Sequence, residues 1–166
     1  MDLGRIVIRG VVGPLFVGHG SQKLFGWFEG GGLEGTAGFL EGRLGLKPGK
    51  AHAAAAGLSE AGGGALLALG ALTPVAAAML TGTMLTAMRT AHAGKGPWAS
   101  SGGWEYPLVL IGAAAAIAQR GPGTPSVDAK LLPNFKGTRW AAAALAAGAL
   151  GSVLATATRE PQPAEA

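Results

Sequence analysis

The chain has 166 residues, 49% hydrophobic and only 13% charged, with 30 glycines, no cysteine and a formal net charge of +4. Ordinary soluble domains carry about 25% charged residues. The low charge therefore favours a chain solvated by lipid, and the basic residues sit in loops and at segment ends rather than in an aromatic-interleaved patch for nucleic acid. Without cysteine there is no disulfide, thiol exchange or thiolate-held iron–sulfur cluster, so any redox chemistry must come from a bound cofactor or a partner.

The first apolar run covers residues 3–25, close to the roughly 20 residues that cross a ~30 Å hydrocarbon core. Arg5 and Arg9 interrupt it, so it reads as a retained first span rather than a signal peptide, with Pro14 as a kink. His19, Gln22 and Lys23 share one helical face by their i, i+3, i+4 spacing. Phe25, Trp27 and Phe28 follow as an aromatic belt at the membrane–water boundary. The glycines at 30–32 permit a sharp turn into residues 36–44, a short amphipathic helix lying in the interface. Their GGGLEGT stretch lacks the Gly-Lys-Ser/Thr ending of a phosphate loop.

Residues 51–72 form the second expected span, with His52 near its start and Glu60 about 15 Å deep at 1.5 Å per residue. Thr73 and Pro74 turn the chain into a third span over 74–91, which ends on Arg89 and His92. A loop with Trp98 and Trp104 leads to a fourth span over 104–119, with Glu105 at its start. Residues 121–137 read as a loop, 138–158 as an additional C-terminal helix, and 159–166 as a disordered tail. The expected architecture is all-α: a polytopic membrane bundle over 1–158, with a four-span core over 3–120, a fifth C-terminal helix and one interfacial helix.

Alternating spans bring His19, Gln22, Lys23, His52, Arg89, His92 and Glu105 to one end, with Glu60 beneath them. Arg5, Arg9, Arg120, Lys130, Lys136 and Arg139 gather at the other end with few acids nearby. The overall Lys/Arg count is nearly balanced between the two ends, and that scarcity of acids inclines the reading to this end as the cytoplasmic side of an inner membrane. Ionisable groups within a membrane face an interior and pair. Arg9, about 9 Å in from one face, and Glu60, about 15 Å in from the other, are therefore expected to form a buried ion pair. That pair fixes helix register or carries protons. His19, Gln22 and Lys23 beside Trp27 would suit a quinone headgroup, and plain interfacial anchoring accounts for the same residues. Two histidines on different helices are the weaker basis for a haem, and no close ligand pair suggests a metal. His52, Arg89, His92 and Glu105 make a secondary polar cluster. Small-residue spacings such as Gly62, Gly63, Gly64 and Gly70 allow tight helix contacts within one chain or between copies.

Several of these residues together resemble a known family. Arg9, Gly18-His19-Gly20, the run from Gln22 through Leu24 and Gly26 to Phe28, Gly32-Leu33, Gly35-Thr36, Phe39 and Leu44-Gly45-Leu46 closely resemble the opening of DoxX family membrane proteins. Glu60 before its glycines and the Gly-Pro-Gly…Ser-Val-Asp run at 121–128 also match, so the likeness covers about residues 3–130. It implies a four-helix membrane bundle, from which the fifth apolar segment departs. Because the family name comes from a small subunit of a quinol oxidase or thiosulfate:quinone oxidoreductase, it also implies a redox-associated role. The expected function is an accessory subunit of a bacterial membrane redox assembly that touches a quinone or oxidase subunits. The alternatives are a transporter-like bundle binding lipid or small molecules, and a structural scaffold without catalysis.

Overall fold

A computed structural model describes residues 2–157, 159 and 160, and the described residues are helical with no strand beyond one isolated bridge. The helices are α1 (Leu3–Phe25), α2 (Gly32–Gly42), α3 (Gly49–Leu69), α4 (Thr73–Thr90), α5 (Glu105–Arg120), α6 (Val127–Leu131) and α7 (Thr138–Ala157), with a 3-10 turn at Ala99–Ser101. The long helices fall close to the expected segments. The short helix starts four residues earlier than expected, at Gly32, and α6 forms inside what was read as a loop.

The bundle is organised by small residues. α1 lies against α3, α3 against α4, and α4 against both α5 and α7. Between α1 and α3 the contact is backbone on backbone. A Cβ on Gly13 would stand 2.9 Å from Gly64 O, and one on Gly20 would stand 2.5 Å from Gly57 O. These glycines repeat every seven residues on both helices, so each pair returns to the same seam after two turns. α4 and α7 approach similarly at Gly148, where a Cβ would meet Thr81 Cβ at 2.7 Å. The buried apolar core is Phe16, Leu67, Ala76, Leu80 and Ile117, with an all-alanine cluster of Ala77, Ala114, Ala118, Ala141 and Ala144 beside it.

Large apolar side chains point the other way. Leu3, Val7, Val11 and Leu15, spaced four apart on α1, are all more than half exposed, as are Leu58 on α3, Val109 on α5 and Leu150 and Leu154 on α7. Meanwhile Arg9, Glu60 and Asp128 are buried. Phe25, Trp27 and Phe28 stack on one another in the open, with ring centroids 5.2 and 6.4 Å apart. Among the described residues, α7 is the one helix both long and apolar enough to cross a membrane by length and composition alone.

The seam also sets the register that decides the charged pairs. Gly13 opposite Gly64 and Gly20 opposite Gly57 put Arg9 level with Ala68 and Glu60 level with Val17. Glu60 is thus about 12 Å along the axis from Arg9. The expected Arg9–Glu60 pair does not form.

Candidate functional site

Arg9, 7% exposed, instead donates from Nε to Leu67 O (3.2 Å), from Nη2 to Ala68 O (2.9 Å), and from Nη1 to Pro122 O and Pro125 O (both 2.9 Å). Its planar guanidinium covers two of the last carbonyls of α3, Leu67 O also accepting from the C-cap Gly70 amide at 3.0 Å, and joins them to the loop after α5. Next to it, the Asp128 carboxylate caps the start of α4, accepting from Leu72 N (2.8 Å), Thr73 N (2.8 Å) and the Thr73 hydroxyl (2.6 Å). Ser126 caps α6 and its hydroxyl donates to Gly123 O. This end of the bundle is a structural knot, and sequence reading missed Asp128 as its second charge. A carboxylate just beyond a Gly-Pro-Gly turn was the available signal.

Glu60 pairs with Lys23: Nζ to Oε2 is 2.5 Å, with the Glu60 side chain 5% and the Lys23 side chain 28% exposed. The pair stands on the wall of an apolar cavity of about 490 Å³ bounded by α2, α3, α4 and α7. Phe39, Leu40, Leu44 and Leu46 form one side, Ala78, Met79, Gly82 and Thr86 another, and Gly148, Gly151 and Ala155 of α7 close it. Ser59 and His52 add polar groups to the lining. The volume falls within the roughly 300–1,000 Å³ of small-molecule pockets, and a largely apolar wall with few polar groups is their usual composition.

Of the four residues expected at a cofactor, Lys23 lines this cavity; His19, Gln22 and Trp27 do not. His19 Nδ1 lies 3.0 Å from Gln22 Oε1, and Gln22 Nε2 donates to Phe28 O at 3.2 Å, so these two side chains brace the turn after α1. Gly30 is glycine because the turn runs against Gln22, whose Cα would be 2.5 Å from an added Cβ. Trp27 is exposed.

The secondary polar cluster also separates. His92 Nδ1 contacts Gly102 O at 2.6 Å, and Glu105 accepts from Ala99 N at 2.7 Å, so both hold the α4–α5 loop to itself. Arg89 reaches Thr156 Oγ1 at 3.5 Å, while His52 Nε2 contacts Lys47 O at 3.3 Å and joins the cavity wall. Separate local contacts, two within the α4–α5 loop, one at the start of α3 and one between α4 and α7, satisfy these groups rather than a shared centre.

Two residues assigned to a disordered tail are instead stitched down beside the cavity. Arg159 forms a bridge with Leu46 and donates to Leu44 O and Arg89 O, both at 3.1 Å. Glu160 N donates to Gly45 O at 2.8 Å, and its carboxylate lies 2.7 Å from Lys47 Nζ. The rest of the expected tail, 161–166, and residue 158 lie outside the described residues.

The family model for DoxX matches residues 4–93, a little over half of the chain. The chain belongs to the DoxX family. The match spans α1 to α4 and so contains Arg9, Lys23 and Glu60, and it makes the chain a DoxX-family membrane protein. The DoxX chain matches no curated protein and no solved structure. α7, which completes the cavity, lies outside the matched part.

Proposed function

We propose that this DoxX chain is a multi-spanning bundle that holds an isoprenoid-quinone-type amphiphile in the α2–α3–α4–α7 cavity, as the accessory subunit of a bacterial membrane redox assembly. The observation that carries this reading is the cavity: a largely apolar space of about 490 Å³ with one charge-compensated polar spot, Lys23–Glu60, set in its wall. An amphiphile with a small oxygen-bearing head and an apolar tail is complementary to that distribution. Nothing in the described residues groups three histidine, aspartate or glutamate side chains for a metal.

On this reading α1, α3, α4 and α5 cross the membrane with α7 as a fifth span, α2 lies in the interface, and the basic Arg5–Arg120–Lys136 end is cytoplasmic. Support comes from the apolar side chains exposed on α1, α3, α5 and α7. The charges within α1 and α3 do not oppose it, because Arg9 is met by four carbonyls and Lys23 by Glu60. At 16 residues α5 is about 24 Å long, short of a ~30 Å core, so it requires a locally thinned bilayer or flanking residues at the interface.

The test is to extract lipids from detergent-purified protein and measure quinone per chain by mass spectrometry, beside a Gly151→Leu variant. Gly151 lines the cavity and a Cβ there meets no atom within 4 Å, so the variant introduces a bulky side chain at the cavity lining without a backbone clash. Co-purified quinone that falls at least tenfold in the variant is the expected result. Equal quinone in both proteins, or none in either, removes the reading.

A further inference from the structure

The polar spot in the cavity has a specific hydrogen-bonding shape. Lys23 has three N–H donors, and one is used on Glu60 Oε2, leaving two. Glu60 Oε1 receives no hydrogen bond from any described residue, although the Glu60 side chain is 5% exposed and lies on the cavity wall. The wall therefore presents, a few ångströms apart, unused donors and an unused carboxylate acceptor.

A carboxylate oxygen only accepts, and so does a quinone carbonyl oxygen. Setting the two together would place acceptor against acceptor on a largely apolar wall beside a 5% exposed carboxylate, where an unmade hydrogen bond to a charged group is costly. A phenolic hydroxyl does both jobs: its O–H donates to Glu60 Oε1 while its oxygen accepts from Lys23 Nζ. A charged head would upset a pair that is already neutral and leave a surplus charge in low dielectric. The fitting head is thus neutral and hydroxyl-bearing.

Resting on the quinone-type reading above, we infer that the cavity selects the reduced, hydroquinone form of its amphiphile over the oxidised quinone, and that Glu60 is the residue that sets this preference. The ligand class is a neutral hydroquinone carrying an apolar chain. Glu60 supplies the acceptor that distinguishes the two forms, Lys23 holds the Glu60 side chain in place through its 2.5 Å contact, and the apolar wall takes the chain without regard to redox state.

The experiment is equilibrium binding of a decyl-substituted hydroquinone and the matching benzoquinone to the detergent-solubilised full chain, kept anaerobic so that neither form interconverts. The hydroquinone should bind at least about tenfold more tightly, the scale of one hydrogen bond to a charged group. In Glu60→Gln, whose amide both donates and accepts, the ratio should fall towards one. Should that variant fail to fold with Lys23 unpaired, the double variant Lys23→Met, Glu60→Gln removes both charges and should bind both forms alike. Equal or tighter binding of the quinone by the native chain, with both forms lost in Gly151→Leu, would overturn the redox preference and leave the cavity reading standing. Binding of neither form, or binding indifferent to Gly151→Leu, would overturn both.

Discussion

Arg9 shows how one side chain can stand in for several missing helix-end partners. Its four carbonyl acceptors come from α3 and from the loop after α5; without the guanidinium Leu67 O would keep the Gly70 amide, while Ala68 O, Pro122 O and Pro125 O would lose the donor that Arg9 gives them. Arg9→Met should therefore destabilise the folded chain by about 3 kcal/mol or more, read as a lowered unfolding midpoint, since each unsatisfied buried polar group costs roughly 1–3 kcal/mol. Arg9→Lys should recover only part of that, because an ammonium cannot reach the four positions from one plane. Asp128→Ala should cost about 2 kcal/mol by uncapping α4, a loss that Asn in its place only partly repairs. At the exposed start of α1, the Arg5 amide and then its guanidinium bond Asp2 and hold its carboxyl below the ordinary 3.8. Because the folded value is the lower one, this cap contributes above the ordinary value and is lost as pH falls through the lowered one. The protection of the Arg5 amide, taken relative to its intrinsic exchange rate, should begin to fall only once the pH is below the ordinary 3.8, while the bundle interior stays protected.

For the helices themselves, glycine is informative only where another helix approaches. Gly20→Ala would drive a Cβ against Gly57 O and Ala61 Cβ, at 2.5 and 2.6 Å, and the two helices would have to part. Overpacking of this kind costs roughly 1–3 kcal/mol. Gly18→Ala, two residues away with no atom within 4 Å, should be neutral or raise stability by up to about 1 kcal/mol through helix propensity. A melting comparison of the two variants separates seam from surface. The long helices were legible because low charge and terminal prolines and glycines mark them in the sequence: residues 3–25 were read as a run, and α1 has those bounds. α6 was not, since its five residues are too few for periodicity and its N-cap Ser126 lies within a stretch of glycine and proline.

Across the whole molecule, the partners of the charged residues were the part hidden from the sequence. Counting depth from two membrane faces assumes that each helix starts at its face, and this put Arg9 opposite Glu60. The glycine seam sets a different offset, and neither Gly57 nor Gly64 announces which glycine it will meet. The cavity was equally illegible, because it needs α7 and α2 placed against α3 and α4, and small residues such as Gly148 and Gly151 look alike whether they touch a neighbour or face a void. The stitch at residues 159–160 also spans the fold. Glu160 raises the Lys47 ammonium above its ordinary 10.5, first by hydrogen bonding and then by charge. The raised group stabilises the stitch below that value and loses its contribution as pH climbs through the raised one. Both side chains are solvated, so molar salt should speed exchange at the Glu160 amide without changing the melting of the bundle.

The knot around Arg9 has a consequence for how much of the chain is needed. Two of its four acceptors, and the carboxylate that caps the first turn of α4, are supplied by residues 122–128. A protein shortened to residues 4–93, the part that the DoxX family model matches, would keep the cation and discard half of what meets its hydrogen-bonding demand. Such a fragment should be inserted yet unable to hold its own shape, recovering it when the missing half is co-expressed as a separate polypeptide.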